Sequence, residues 1–256
     1  MKGKFLSEYP EAENLCQYTN HMVAFLDILG FSKLVNNPRL NAIFYYALTA
    51  VSNIPRKKEE YENIGIFNPK TSILSDSIII SFTQETHYCF EMLIRLINTM
   101  LVTFLDDNIL LRGAITSGPM YHEEGIVFGP ALVRAHMLGE KVAIYPRCII
   151  DNEKINDFFN KPLKDIDASI SFPIDSDGIH YYDYFLQALF VAHQERSDFQ
   201  TKKIMRLREL IIENILENQK DIHVLQKYLW MKEHFNATLP KIKEITKASA
   251  SHLVIK

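Results

Sequence analysis

From His21 onward the hydrophobic and polar positions change pattern abruptly, because HMVAFLDILGF is an apolar run interrupted by one carboxylate, Asp27. A run of this length closed by a glycine turn predicts a buried central strand ending at Asp27. Leu40, Ile43, Phe44, Ala47, Leu48 and Val51 then recur at helical spacing and predict a helix over about residues 38–54. After the polar connection RKKEEYENIG, the serine-rich, β-branched segment TSILSDSIIISF predicts a hairpin folded around Ser75 and Asp76. Helical intervals return from Phe90 to Phe104, giving a second core helix over about residues 85–104, and ILLRGAITSG predicts the strand that follows.

Residues 118–125 combine glycines, a proline and paired glutamates, and predict a hairpin or loop leading to Ile126, Val127 and Phe128. Gly129 and Pro130 open a short helix through about Leu138, with proline where its missing N–H is harmless. KVAIYPRCIID reads as one more strand. The order of strand, helix, two strands, helix, strand is the split βαβ arrangement of an α+β, ferredoxin-like palm. Beyond Asp151 the pattern changes. IDSDGIHYYDYF predicts a turn at Asp177 and Gly178 and another strand, and two amphipathic segments follow, the first with Ile204, Leu207, Ile211 and Ile215 on one face. The expected organisation is an N-terminal arm over 1–19, a palm domain over 20–182, and a helical extension over 183–256 packed on it.

Composition narrows the function classes. With 256 residues, 47% apolar and 23% charged positions and a net charge of -3, the chain reads as one substantial globular domain with decorations. It lacks the basic excess that nucleic-acid binding requires, although small phosphorylated ligands need only local positive charge. Cys16, Cys89 and Cys148 are widely separated, show no metal-ligand spacing and read as reduced structural residues. The opening MKGKFLSEYPEAENL is too charged for a secretory segment, and no run reaches membrane-spanning length, so a cytoplasmic location without membrane contact is expected.

Two aspartates at the ends of neighbouring strands are the strongest chemical signal. A palm brings Asp27 and Asp76 to the same sheet edge, where two carboxylates can share Mg2+ or Mn2+, hard cations that prefer oxygen ligands and leave positions for phosphate. The plainer alternative is that each aspartate caps a strand or turn. Arg112, at the entrance of a strand, reads either as a phosphate ligand or as half of a structural ion pair. Lys141 and Arg147 flank the last palm strand and read as solvated cations. His136 reads as a packing or surface residue, and no histidines show HExxH spacing.

AFLDILGF, SILSDSIIIS, LRGAITSG and FGPALVRAHMLGE stand in the order and spacing of the class III nucleotide cyclase motifs, so residues 20–151 resemble that family. The resemblance implies a βαββαβ palm with two Mn2+ or Mg2+ ions per active site held by Asp27, the carbonyl of Ile28, and Asp76. It further implies that the turn Leu29, Gly30, Phe31 and Ser32 wraps a triphosphate through its N–H groups, and it offers Lys141 and Arg147, beside the last palm strand, as triphosphate-binding cations. The implied reaction is in-line attack of the ribose 3'-hydroxyl on the α-phosphorus with departure of pyrophosphate. The family's geometry also implies a head-to-tail homodimer with composite sites, in which the metal aspartates of one protomer work with the phosphate-stabilising helix of the other.

The departures are equally informative. Purine cyclases carry a base-reading lysine and a polar residue where this chain has Ser72 and Ile126, and an asparagine and arginine where it has Val133 and Met137. Arg134, one position along the same helix, is the candidate for stabilising the developing phosphorane charge. With the IYPR segment, this helix resembles the bacterial pyrimidine cyclase (PycC) family of Pycsar anti-phage defence. That resemblance implies UTP cyclisation to cyclic UMP and a downstream effector responding to it, with CTP as the alternative substrate. It also places a base-narrowing tyrosine on the first helix, where Tyr45 and Tyr46 stand; both also fit as ordinary helix-surface residues. A nucleotide-binding cyclase fold without turnover and a purine cyclase with an altered pocket are the competing readings.

Overall fold

The computed structural model describes residues 17–36, 38, 41, 42, 45, 49, 69–83, 87–123, 125–159, 172–183, 197–246 and 253–256. The greater part of the N-terminal arm, most of the helix expected over 38–54, Cys16 and Tyr46 lie outside them. Strand β1 spans Thr19–Ile28. Met22, Ala24 and Leu26 enter one apolar cluster while Val23 and Phe25 enter another. Burial on both faces explains why this strand reads as a continuous apolar run instead of an alternation.

The expected hairpin forms from β2 (Lys70–Leu74) and β3 (Ser77–Thr83). Its turn is Ser75–Asp76, with Ser75 in the left-handed region at φ 58°. Helix α1 is the short segment Phe31–Leu34, and α2 runs from His87 to Asp106. Strand β4 (Leu111–Glu123) pairs antiparallel with β1 along its length, from Thr19 opposite Met120 to Ile28 opposite Leu111. On its other edge β1 pairs antiparallel with β3. The resulting order β2-β3-β1-β4, with β3 and β4 flanking β1 and α2 connecting them, is the ferredoxin-like palm of an α+β fold. Between β1 and β2, Pro38, Asn41, Ala42, Tyr45 and Thr49 are helical, as the first crossover requires.

Beyond this palm, β5 (Ile126–Phe128) folds back on the end of β4, and helix α3 (Pro130–Lys141) packs on the Val23–Phe25 face. Strand β6 (Cys148–Ile150) lies parallel to β4; helix α4 (Asn152–Phe159) and strand β7 (Tyr181–Tyr182) follow, β7 antiparallel to β6. Of the hairpin or loop expected over residues 118–125 the hairpin is observed, since β4 continues to Glu123 and pairs antiparallel with β5. One local expectation changes. The strand expected over KVAIYPRCIID shrinks to three residues because α3 runs on to Lys141 and closes with the Val142 and Ala143 N–H groups both donating to Leu138. Pro146, without an N–H, cannot donate to a ladder there.

Helices α5 (Ser197–Glu217) and α6 (Ile222–Thr246) place Leu207, Leu210, Ile211, Met231 and Phe235 in the same apolar cluster as α2. Arg147 is 0% exposed and bridges Asp175 and Asp177, a correction to its reading as a solvated or triphosphate-binding cation. Trp230 of α6 donates through Nε1 to Asp175 Oδ2 at 2.8 Å and stacks on Tyr145 with ring centroids 5.6 Å apart. The charge of Arg147 is matched inside the protein, as a buried guanidinium requires. Cys89 and Cys148 are buried in the same core.

Helix α3 sits close to the sheet. A Cβ built on Gly139 would lie 3.2 Å from Phe25 Cδ1 and 3.6 Å from Gly113 Cα, and one built on Gly113 would fall onto the Phe25 carbonyl. Glycine at 139 therefore lets the helix approach the sheet, and glycine at 113 lets β4 lie close against β1.

Candidate functional site

The candidate site lies where β1 ends against the β2–β3 turn. Asp27 faces Ser77 across one edge and Arg112 across the other. The Ile28 N–H donates to the Asp76 carbonyl at 2.9 Å, which ties the turn to the strand end. The chain then turns at Gly30, whose φ of 73° suits glycine, and enters α1. Asp27 and Asp76 are thus brought to one edge of the sheet, as the strand pattern predicted.

Arg112 Nε donates to Asp27 Oδ2 at 2.8 Å, with the Asp27 side chain 16% exposed. Of the two readings of Arg112, the ion pair is the one observed. Burial raises the Asp27 carboxyl above its ordinary range; Arg112 opposes that shift, and the charges of Asp76 and Glu140 reinforce it. Lys227 of α6 belongs to this neighbourhood. Burial and the positive charge of Arg112 lower its ammonium, while Asp27 and Asp221 act in the other direction. Neither Glu140 nor Lys227 carried a sequence signal, since both stand on amphipathic helices whose docking the pattern does not specify.

The remaining candidates are dispersed around this edge. Leu29 donates its N–H to Leu110 at 2.8 Å, so its N–H is already engaged and the turn's cradle narrows to Gly30, Phe31 and Ser32. Tyr45 is 68% exposed on its helix. Arg134, on α3, sends Nε and Nη2 to the two oxygens of Asp151 and approaches Glu153 at 3.4 Å. Asp151 also accepts a hydrogen bond from Thr116, and Arg134 heads the influences that lower its carboxyl against the effect of burial. Val133 and Met137 stand on the exposed side of α3, and Ile126 and Phe128 are exposed on β5. His136 lies 3.4 Å from Glu140 and meets Phe25 edge-on.

Ser72 belongs to a chain of contacts with no counterpart in the sequence reading. Its Oγ is 2.9 Å from His122 Nε2; His122 Nδ1 is 2.8 Å from Ser81 Oγ; Ser81 Oγ is 3.1 Å from His21 Nδ1; and His21 Nε2 is 2.9 Å from Thr19 Oγ1. His21, Ser81 and His122 are all buried. Burial, followed by the charge of Lys70 for His21 and of His21 and Lys70 for His122, lowers each imidazole to about 4, so both are neutral at pH 7. The available signal was a histidine and a serine at positions where β1 and β3 otherwise carry apolar residues.

Among the described residues no group of three or more His, Cys, Asp or Glu side chains could hold a metal ion. The oxygen donors present are two carboxylates and the Ile28 carbonyl, a hard set suited to Mg2+ or Mn2+. They fit such an ion chemically, because a cation would offset the mutual repulsion of Asp27 and Asp76. No described helix is long and apolar enough to cross a membrane.

No family model matches this sequence, and no curated protein matches it. Among solved structures the chain is similar to the adenylyl cyclase CyaB from P. aeruginosa, with a TM-score of 0.43 and 15% identity over 65% of this chain and 93% of that one. It is similar to an adenylate/guanylate cyclase/hydrolase from Silicibacter pomeroyi, with a TM-score of 0.43 and 14% identity over 65% of this chain and 96% of that one. A third is the catalytic core of a rhodopsin-guanylyl cyclase with converted specificity in complex with ATPalphaS, with a TM-score of 0.38 and 13% identity over 65% and 93%. Similarity this distant assigns neither family nor activity.

Proposed function

We propose that this chain is a pyrimidine nucleotide cyclase of class III type, converting UTP, with CTP as the alternative, to the 3',5'-cyclic monophosphate and pyrophosphate. The observation that carries the reading is the meeting of Asp27 and Asp76 at one sheet edge, held by the Ile28 N–H to Asp76 carbonyl bond. Asp27, Asp76 and the Ile28 carbonyl would hold Mn2+ or Mg2+. When bound, these ions supply charge neutralisation at the phosphates and a lowered pKa at the attacking hydroxyl.

The chain's own residues supply position and complementary charge. The turn at Gly30 and the following residues Phe31 and Ser32 receive the triphosphate. Tyr45 or Tyr46 borders the base. Arg134 stabilises charge at the reacting phosphate, with Asp151 and Thr116 fixing the plane of its guanidinium so that Nη1 is the edge left to meet a phosphoryl oxygen. The exposed apolar side chains of α3 and β5, Val133, Met137, Ile126 and Phe128, support a homodimer in which Arg134 serves the partner's Asp27 and Asp76. The cyclic product serves as an antiviral signal in the cytoplasm, read by an effector.

Purified protein incubated with Mn2+ and each of the four nucleoside triphosphates, with products identified by mass spectrometry, tests this directly. Cyclic UMP or cyclic CMP is the expected product; cyclic AMP or cyclic GMP alone would overturn the pyrimidine assignment. Mixing Asp27→Ala and Arg134→Ala chains should restore one competent site per heterodimer, roughly a quarter of wild-type activity after random exchange. No recovery would place both residues in the same chain's site. A second reading, a nucleotide-binding module without turnover, is favoured by the engagement of Arg134 with two carboxylates; it predicts nucleotide binding without product.

A further inference from the structure

The hydrogen-bonded chain from Ser72 to Thr19 has a property that its individual contacts lack. Each neutral imidazole carries one N–H, and Ser81 has a single O–H between two Nδ1 atoms, His21 at 3.1 Å and His122 at 2.8 Å. Because all three groups are buried, Ser81 must donate to one ring and accept from the other. Any other arrangement strands a buried O–H, N–H or ring nitrogen without a partner, at its full desolvation penalty.

Only two polarities satisfy that condition. In the first, His21 Nδ1–H donates to Ser81, Ser81 O–H donates to His122 Nδ1, and His122 Nε2–H donates to Ser72, whose own O–H then points outward. In the second, every bond reverses: Ser72 O–H donates to His122 Nε2, His122 Nδ1–H to Ser81, and Ser81 O–H to His21 Nδ1. Ser72 then faces outward with lone pairs only. The two rings always hold opposite tautomers and exchange them together. Balance is kept because one proton enters at exposed Thr19 and one leaves at Ser72, so no net charge accumulates in the core.

We propose that Ser72, oriented by His122, reads the 4-position of the pyrimidine and that the relay lets it do so in either sense. It donates to the 4-oxo group of uracil in the first polarity and accepts from the 4-amino group of cytosine in the second. This rests on the pyrimidine cyclase reading and deepens it, since it assigns the base-reading contact and predicts that UTP and CTP are both accepted. His122 is a positioning residue: it touches Ser72, and it sets which face of the hydroxyl the substrate meets. Ser81 and His21 couple that choice to the chain's far end.

Long-range 1H–15N NMR of histidine-labelled protein reports the tautomers of His21 and His122 without turnover. The probes are 3'-deoxy-UTP and 3'-deoxy-CTP, which lack the attacking hydroxyl. The expected result is opposite tautomers on the two rings and a joint exchange between the two complexes. Bound analogues that leave the tautomers unchanged would overturn the relay while leaving the cyclase reading intact. A joint exchange in a protein that forms no cyclic product would uphold base reading and remove turnover. Failure of both analogues to bind would overturn both proposals. As a second measurement, Ser81→Ala leaves His122 Nδ1 without a partner, which favours its bare form and so fixes Ser72 as a donor. The ratio of kcat/KM for UTP over CTP should rise roughly tenfold, and an unchanged ratio in the folded variant overturns the coupling.

Discussion

The two ends of β1 carry opposite solutions to the same problem. On one face of the strand, Asp27 and His21 are the polar residues at either end, and both meet partners on neighbouring strands. At the Asp27 end charge is retained: a carboxylate is paired with Arg112 and crowded by Asp76 and Glu140. At the His21 end charge is excluded, because two imidazoles and three hydroxyls satisfy one another while neutral. Burial acts against the ionised form at both places, raising the Asp27 carboxyl and lowering both histidines to about 4. An incompletely balanced charge invites a ligand; a closed neutral network specifies shape and hydrogen-bond direction. The charged end of the strand is suited to phosphate chemistry and the neutral end to recognising a base.

The largest effect should come from the charged end. Asp27→Ala and Asp76→Ala are each expected to reduce cyclic-nucleotide formation on the order of 10³-fold, with the circular dichroism spectrum retained. Activity surviving in both variants would remove the pair from the chemistry.

The neutral end should dominate acid stability. Both histidines have folded pKa values near 4, below the ordinary 6.5, so the unfolded chain takes up more protons between those values. Their contribution is complete above pH 6.5 and is lost as pH falls toward 4. At pH 5 the loss is on the order of 2 kcal/mol for each ring. Urea unfolding at several pH values should show this slope, and His21→Gln should remove about half of it; an unchanged slope would mean that the two rings do not titrate with unfolding.

A smaller change distinguishes the ends by sign. Arg112→Gln removes the main influence lowering the Asp27 carboxyl, so the acid limb of the activity profile should move to higher pH. A limb that stays in place would show that Arg112 does not tune Asp27 during turnover. The smallest effect belongs to Lys70, which pairs with Glu123 near the surface and lowers both histidines. Lys70→Ala should cost under about 1 kcal/mol of stability near neutral pH and make the acid slope slightly shallower, because both histidines then titrate closer to their ordinary value. A large loss would mean that this pair closes the neutral end more tightly than its exposure suggests.

Legibility in the sequence follows how local each feature is. β1 was readable because burial on both faces leaves an uninterrupted apolar run, and the β2–β3 turn because Ser75 and Asp76 interrupt a β-branched segment. Asp27 and Asp76 followed from those two elements. The relay was not readable: His21, Ser72, Ser81 and His122 come from four different strands of the palm and share no spacing. Arg147 looked like a surface cation because its partners, Asp175 and Asp177, and the covering Trp230 arrive from later segments. Lys227 depends in the same way on where α6 docks. Periodicity identifies elements, whereas partners brought together by tertiary packing leave only isolated polar residues in apolar surroundings as their trace.

The seat of α3 on the sheet has a mechanical consequence. Sliding the helix by one turn would bring the Ala135 methyl to the place of Gly139, 3.2 Å from Phe25 Cδ1 and close above Gly113. A single missing methyl group therefore sets the register of α3 against β1 and β4, because the shifted helix would seat only if the Phe25 ring gave way. Displacement of Arg134 along the strands is thereby coupled to the packing beneath its helix.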